Sequence, residues 1–423
     1  MPTSYKDRSV LVIDQGLFVH LAVTLAESFG RTYYFTPWES AFPKSNHFLP
    51  GYGLPGIVRP DSIWDVMDEV DLVVFPDVNF GPLQEHLVSI GKRVWGSRRG
   101  EELELDRDGS KQLCRSLGID IGDYVVVTGM DNLRDHLRDN DNVWVKVSRT
   151  RGDMETFRSP NYRLVEPKLD EVEQQLGAKK QIMQFIVEDS LEPAVEIGYD
   201  GFSIDGRFAS NAMFGTEIKD RGLILECVQY DRLPWQLLDV NVKLASTFRA
   251  LNYRGFFSSE VRATPDGRAY LIDPCCRMGS PPGELFDIMV TNWPDILWNG
   301  AEGVVVEPDC AARYGAELLI HSAWADQHWQ PIDFPDSIRN FVKLRNHTRI
   351  GGRDYVIPSA VGLPEIGAVV AIDDTLEGAI AKVREYAEQV EGYYVDVFAD
   401  SLDEAATEHE ASKQIGRRAR EAA

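Results

Sequence analysis

The sequence predicts an α/β and α+β multidomain protein, and three observations carry that prediction. At 423 residues the chain exceeds what one hydrophobic core supports, so about two to four domains are expected. Its first hundred residues alternate short apolar runs with helical patterns, the mark of a parallel α/β unit. Beyond them, apolar runs bracket Asp-Gly turn signals on either side of one long helix, an α+β arrangement.

The elements follow in order. "VLVI" (10–13) reads as a buried strand. In "LFVHLAVTLAESFG", Leu17, Leu21 and Leu25 recur at helical spacing, with Gly30 placed to cap the helix. "VDLVVFPD" (70–77) and "KRVWG" (92–96) are further strands. Between them "GPLQEHLVSIG" has Pro82 near a helix start and Gly91 past its end. "NVWVKVS" (142–148), "VEIGYDGFSIDGRFA" (195–209) and "FFSSEVRATPDGRAYLID" (256–273) are β-rich, and "PWQLLDVNVKLASTFRALN" (234–252) is helical. A third piece begins near residue 310 and carries the amphipathic helix "TLEGAIAKVREYAEQVEG". The polar stretch after Asp400 reads as frayed helix or tail, with "GRRAREAA" solvated.

Bulk properties exclude several classes. A net charge of −23 disfavours a broad nucleic-acid interface. The first apolar run is too short for a signal-peptide core, and no stretch approaches a membrane span, so a soluble cytoplasmic protein, monomer or homodimer, is expected. The five cysteines are irregularly spaced and include no C-x-x-C pair. That argues against structural zinc and for reduced thiols rather than a disulfide framework.

The densest chemistry lies in the last hairpin. A two-residue turn at Asp266-Gly267 pairs Glu260 with Asp273 and puts Glu260, Arg262, Thr264 and Asp273 on one face. Val261, Ala263, Tyr270 and Ile272 then share the other. A competing turn, with Pro265 at its second position and a bulge at Gly267, separates the two acids. Opposed carboxylates have Cβ atoms roughly 5 Å apart and repel unless something positive intervenes. Two readings stay open here: a structural network with Arg262 and Arg277, or a Mg²⁺ site beside a nucleotide phosphate.

With Glu260, Asp273 thirteen residues later, and then "D-P-C-C-R-M-G", the chain resembles the ATP-grasp ligases, and within them the phosphoribosylamine–glycine ligases. There the corresponding run reads "E-x-N-x-R-x-G"; Arg277 and Gly279 are kept, and Cys275 replaces the metal-binding Asn. "GAVVAIDDTLEGAIAKV" is similar to the C-terminal domain of those ligases. The resemblance covers nearly the whole chain. It implies a Rossmann-like pre-ATP-grasp domain (1–105), an ATP-grasp domain (106–310) with a lid over about 122–190, and a C-terminal domain (311–423).

It also implies roles. ATP would be the nucleotide, with Mg²⁺ or Mn²⁺ on Glu260 and Asp273. Lys146 ends "VWVK", where a Lys contacts phosphate. Arg149 and Arg151 stand where the family has a glycine-rich loop. Arg107 or Lys111, on "LDRDGSKQLCRSLGI", takes a second phosphate position. In "QIMQFIVEDSLEPAVE", the backbone of Gln184, Phe185 and Ile186 would read adenine and Glu192 the ribose, with Glu188 behind it. Lys219 and Arg221 in "GTEIKDRG", with Glu196, would face the substrate. Arg277, Lys219 and Arg262 would serve catalysis.

One motif departs. The family's "GNGGREH" reads "DQGLFVH" here, with Leu17, Phe18 and Val19 in place of Gly, Arg and Glu, so phosphoribosylamine is disfavoured as substrate. His20 is expected to be a packed helix residue. Asp14 and Asp77 follow strand ends, where open α/β sheets bind ligands, and are candidates to hold an acceptor. The leading expectation is a ligase joining a small carboxylate to a small amine. The alternatives are a nucleotide-binding protein of this fold without ligase activity, and a ligase acting on a macromolecule.

Overall fold

The structure is a computed structural model that describes residues 4–37, 49–148, 156–191, 194–264, 268–325, 327–358 and 365–421. The N-terminal unit is a five-stranded parallel sheet in the order Ile57–Val58, Phe29–Phe35, Tyr5–Ile13, Leu72–Val74, Arg93–Trp95. The expected helices appear as Val19–Ala26 and Gly81–Ser89. The first is shorter than the pattern predicts because Gly30 does not cap it. Gly30 instead lies in a strand, where a Cβ would stand 2.0 Å from the Lys6 carbonyl oxygen. A backbone approach that close admits only glycine.

The centre of the molecule is a nine-stranded sheet. Its order is Ala269–Cys275, Arg254–Ala263, Val195–Ile204, Asn211–Ile218, Gly222–Gln229, Tyr314–Ser322, Glu365–Asp373, Val342–Leu344, with Val395–Val397 also paired to Tyr314–Ser322. Every one of these pairings beyond the first strand is antiparallel. Strands on both sides of residue 310 therefore share one ladder, and residues 311 onward extend this sheet. At the same seam Cys227 and Cys310 form a disulfide, with Cα atoms 6.8 Å apart. This corrects the expectation of reduced thiols throughout. The Cys227 N–H donates to the Arg313 carbonyl at 2.8 Å, which holds the distant segment against the strand.

Residues 124–189 form a separate four-stranded sheet, ordered Tyr124–Thr128, Gln184–Asp189, Val143–Val147, Thr156–Ser159. The helices Met130–Asp139 and Tyr162–Leu176 close over it with Leu133, Leu137, Val165, Leu169 and Val172. These apolar positions recur at helical spacing, so one face of each helix is buried. A small sheet of Gln330–Ile332, Arg353–Val356 and His347–Ile350 flanks the C-terminal part.

The segment after Asp400 is a helix, Ser401–Glu421. It docks rather than frays: Leu402, Ala405, His409 and Ser412 are buried, and His409 bridges Thr216 Oγ1 (3.1 Å) and Glu226 Oε2 (3.2 Å). Among the described residues, no helix is long and apolar enough to cross a membrane.

Candidate active site

The central sheet supplies the floor of a cavity of about 740 Å³. Strand alternation sorts its side chains into rows. In the middle row Gly215 faces Gly198, Gly198 faces Glu260, and Glu260 faces Asp273. On one side lie Asp200, Ser258 and Cys275; on the other lie Glu196, Arg262 and Tyr270, with Glu217 beyond Gly215 on its own strand.

The two acids oppose each other as expected, but by a different route. Ala263 pairs with Ala269 and Val261 with Leu271, one residue out of step with a two-residue turn; the turn itself, 265–267, lies outside the described residues. A bulge between Val261 and Glu260 absorbs the extra residue and restores the Glu260–Asp273 pair. Leu271, not Tyr270 or Ile272, therefore packs with Val261 in the core, and Tyr270 lies opposite Arg262.

The cations on Asp273 are not those the hairpin offers. Arg107 Nη1 donates to Oδ1 at 2.9 Å and Lys146 Nζ to Oδ2 at 2.8 Å. Lys146 also donates to the Ile272 carbonyl at 3.0 Å and lies 3.5 Å from Glu188. Lys111, one turn after Arg107 on the helix Arg107–Ser116, meets Glu188 at 2.6 Å. That helix is capped by Asp106, whose side chain accepts from the Gly109 N–H. Two elements of different units thus converge on one carboxylate, Lys146 from the four-stranded sheet and Arg107 from the helix before it.

Charge is distributed unevenly. Burial opposes the ionised Asp273, but Lys146 and Arg107 more than offset it and pull the carboxyl down to about 2. Burial lowers the Lys111 ammonium despite Glu188. Burial, then Glu196 and Asp273, push Glu260 well above the usual carboxylate range. Burial and Glu196 push Glu217 up to about 8, and burial raises Asp200 to about 6. Arg277 lines the cavity with its Nε donating to Glu104 at 2.7 Å, while Glu104 also accepts from the Cys276 N–H at 2.8 Å.

No family model matches the sequence. No curated protein matches it either. Solved structures do match over nearly the whole length. A phosphoribosylamine–glycine ligase from Thermotoga maritima superposes with a TM-score of 0.67 at 13% identity, covering 92% of this chain and 98% of that one. The biotin carboxylase domain of the Hydrogenobacter thermophilus 2-oxoglutarate carboxylase, in complex with MgADP, ADP and bicarbonate, gives 0.62 at 13% identity over 96% and 98%. An N5-carboxyaminoimidazole ribonucleotide synthetase from Thermotoga maritima gives 0.59 at 13% identity over 91% and 99%. The fold is that of the ATP-grasp ligases.

Within this ATP-grasp fold, several sequence-predicted residues gather. Arg107, Lys146, Glu196, Lys219, Glu260, Arg262, Asp273 and Arg277 all line the cavity, and Lys111 lies directly behind, on Glu188. Arg262 is held by Glu196, its Nη2 donating at 2.8 Å. Cys275 lines the cavity and Cys276 is buried in the core, as the alternation of the strand requires.

Others are placed elsewhere. The backbone of Gln184, Phe185 and Ile186 is not free to read adenine: their strand is central in its sheet and pairs on both sides. The wall there is built by Glu188, Asp189 and Leu191 instead. Arg221 turns out of the cavity and lies over the Phe398 ring, 5.5 Å from its centroid. Asp14 is wholly buried and accepts from the N–H groups of Gly16 (3.0 Å) and Phe18 (2.6 Å) and from the Tyr34 hydroxyl, so it caps its own loop rather than a ligand. Asp77 is buried and accepts from the Val78 N–H. Phe18 and Val19 are fully buried in the apolar core, and His20 Nδ1 pairs with Asp287 at 2.6 Å, a packed histidine. Arg149, Arg151 and Glu192 lie outside the described residues.

Sequence reasoning missed Asp200, Glu217, Glu104, Arg345 and Glu317. The signal for Asp200 and Glu217 was present: Glu196, Gly198 and Asp200 alternate with apolar residues, as do Gly215 and Glu217, so each set shares one face.

Proposed function

We propose that this chain is an ATP-dependent carboxylate–amine ligase acting on an amino acid or similar small carboxylate. The observation that carries the reading is the convergence of Lys146 and Arg107 on Asp273, opposed to Glu260, in one large cavity, with Lys111 behind them on Glu188. Of the structural neighbours, the Hydrogenobacter thermophilus domain is described in complex with MgADP, and a carboxyaminoimidazole ribonucleotide synthase in complex with ATP.

The residues fit a divalent metal. Mg²⁺ is commonly held by one or two carboxylates plus substrate phosphates, and Glu260 and Asp273 offer that donor set. Mn²⁺ takes the same hard oxygen ligands. The raised Glu260 carboxyl marks a site where negative charge lacks a counterion. When bound, the ion supplies neutralisation of charge on the phosphoryl oxygens. The protein's own part is positioning. Lys146, Arg107 and Lys111 already hold carboxylates in charge-assisted contacts and would exchange them for phosphate oxygens. Arg277, aimed by Glu104, adds positive charge where the transferred group must pass. The γ-phosphoryl would move to the substrate carboxylate, releasing ADP. The amine then attacks the acyl phosphate, forming the amide and releasing phosphate.

With Phe18 and Val19 in the core, the positions where the family has Arg and Glu offer no side chain to a sugar phosphate, which favours a plain amine over phosphoribosylamine. One observation favours a second reading, a nucleotide-binding protein without ligase activity: the soft thiol of Cys275 beside the hard oxygen pair. Carboxylate-dependent release of ADP, screened over amino acids with and without amines, separates the two. Glu260→Gln should abolish that release; unchanged turnover sinks the metal assignment.

A further inference from the structure

The central sheet is split beside the cavity. Strands Val195–Ile204 and Asn211–Ile218 pair with each other only from Gly198–Gly215 to Asp200–Met213. The same register would run on through Ile197–Thr216, Glu196–Glu217 and Val195–Ile218, yet these residues are not paired across the boundary. Each side keeps its other neighbour: 195–197 pair with 261–263, and 216–218 with 222–224. The ladder therefore opens along one internal line rather than fraying at an edge. By strand alternation Glu196 and Glu217 point to one face of the sheet, and Ile197 and Thr216 to the other. All four line the cavity, so the cavity extends into the split.

The helix Ser401–Glu421 closes the split from the far face. Its Glu404 and Glu408 line the cavity. His409, the next residue, lies against Thr216 Oγ1 at 3.1 Å and the Phe214 ring at 5.1 Å, on the face opposite Gly215 and Glu217. Two features make this wall separable. Among the helix's described side chains, the buried ones are Leu402, Ala405, His409 and Ser412, of which only Leu402 is a large apolar group. The rest of the hold is polar and centres on Glu226. That carboxylate accepts from His409 Nε2 (3.2 Å) and Lys413 Nζ (2.9 Å) on the helix. It also accepts from Arg313 Nη2 (2.7 Å) and the Tyr314 hydroxyl (3.3 Å), which are not on the helix. When the helix leaves, Arg313 and Tyr314 still pair Glu226, so opening strands no buried charge. The remaining bridge, Arg384 to Asp403 at 2.9 Å, is a surface pair and holds little.

A segment with few buried apolar contacts and polar anchors that water can replace opens locally, without the rest of the fold. We propose that the helix Ser401–Glu421 is a gate. It closes a second opening of the cavity at the split between the two strands, and the contacts of Glu226 with His409 and Lys413 are its latch. Because Glu404 and Glu408 are themselves part of the cavity wall, undocking of the helix opens the cavity to the far face of the sheet. That gives a small molecule a route separate from the end where Lys146 and Arg107 meet Asp273. The gate is a property of the cavity and stands with or without the ligase reading.

Thiol labelling of the full chain reads the gate without turnover. In a Cys275→Ser background, which removes the cavity thiol, Ala405→Cys places a thiol beneath the helix, where the native residue is fully buried. Its reaction with iodoacetamide reports undocking, and Cys114 and Cys276, buried elsewhere, report global unfolding. The introduced thiol should react at least tenfold faster than those two. His409→Ala should raise its rate about tenfold further, the scale of one hydrogen bond to a charged group, with Cys114 and Cys276 unchanged. Lys413→Ala should act in the same direction. Amide exchange in the unmodified chain and in His409→Ala reads the same opening if the new thiol disturbs packing. Residues 402–412, 195–197 and 216–218 should lose protection together, before the strand Leu72–Val74. Labelling in step with Cys276, a rate indifferent to both latch variants, or an exchanging helix over still-protected strand ends overturns the gate. Absence of ADP release with every carboxylate removes the ligase reading and leaves these readouts as they are.

Discussion

The two ends of the cavity use the same kinds of side chain in opposite balance. Under the four-stranded sheet, Lys146, Arg107 and Lys111 each meet an oxygen of Asp273 or Glu188 at 2.6 to 2.9 Å. At the inner end Asp200 and Glu217 line the cavity, and Glu317 lies buried on the same sheet face beside Arg345, which Glu284 already holds at 3.0 Å. The first end sets three cations on two carboxylates and is ready to exchange a carboxylate for a phosphate. The second holds acids whose charged form burial disfavours, Glu217 pushed up to about 8 and Asp200 to about 6. One sheet floor serves both because strand alternation sends every second residue of four strands into the same space.

The largest expected effect breaks the cation-lined end. Lys146→Ala removes the ammonium from Asp273 and from the phosphates it would contact. Loss of one preorganised charge of this kind costs roughly 10²–10³ in kcat. Carboxylate-dependent ADP release should fall by that factor in single-turnover assays, and a loss under tenfold would show that the two ends do not differ in function.

Next in size is a gain in stability at the acidic end. Glu217 titrates near 8 in the fold, against 4.5 for the unperturbed group. The folded chain therefore keeps a proton that the unfolded chain releases, and stability falls as pH rises from about 4.5 to about 8. Glu217→Gln removes that loss. It should stabilise the protein by on the order of 1–3 kcal/mol above pH 8 and by nothing below about pH 4, read from melting curves across pH. A parallel curve for the two proteins would mean that Glu217 is ionised in the fold.

How far these two ends were legible in the sequence differs for a physical reason. Glu260 and Asp273 could be paired from hairpin counting, although the pairing survives through a bulge that no count revealed. Lys146 and Arg107 were legible as positions in a motif, but not as partners of Asp273, because their contact spans 127 and 166 residues. The acidic end needs Asp200, Glu217 and Glu317 to fall on one face of strands that are distant in the chain. Each residue alone reads as an ordinary strand acid. Gln184 to Ile186 failed for the converse reason: a local motif cannot tell whether a strand ends up at a sheet edge or in its middle, and in the middle its backbone is already spent.

The smallest expected effect tests the rule that sequence parity places side chains. Lys219 and Arg221 are two residues apart, where strand alternation would put them on one face, and the family resemblance implied that both face the substrate. Ile218 pairs with Gly222, however, so residues 219–221 form the hairpin loop, where alternation does not hold. Lys219 lines the cavity and Arg221 lies against Phe398. Lys219→Ala should therefore cost about tenfold in kcat/KM for the carboxylate, the scale of one charged contact. Arg221→Ala loses only an exposed cation–π contact, about 0.5–1 kcal/mol of stability, and should leave kcat/KM within twofold. Equal losses in the two variants would mean that the loop rearranges to bring both cations to the cavity.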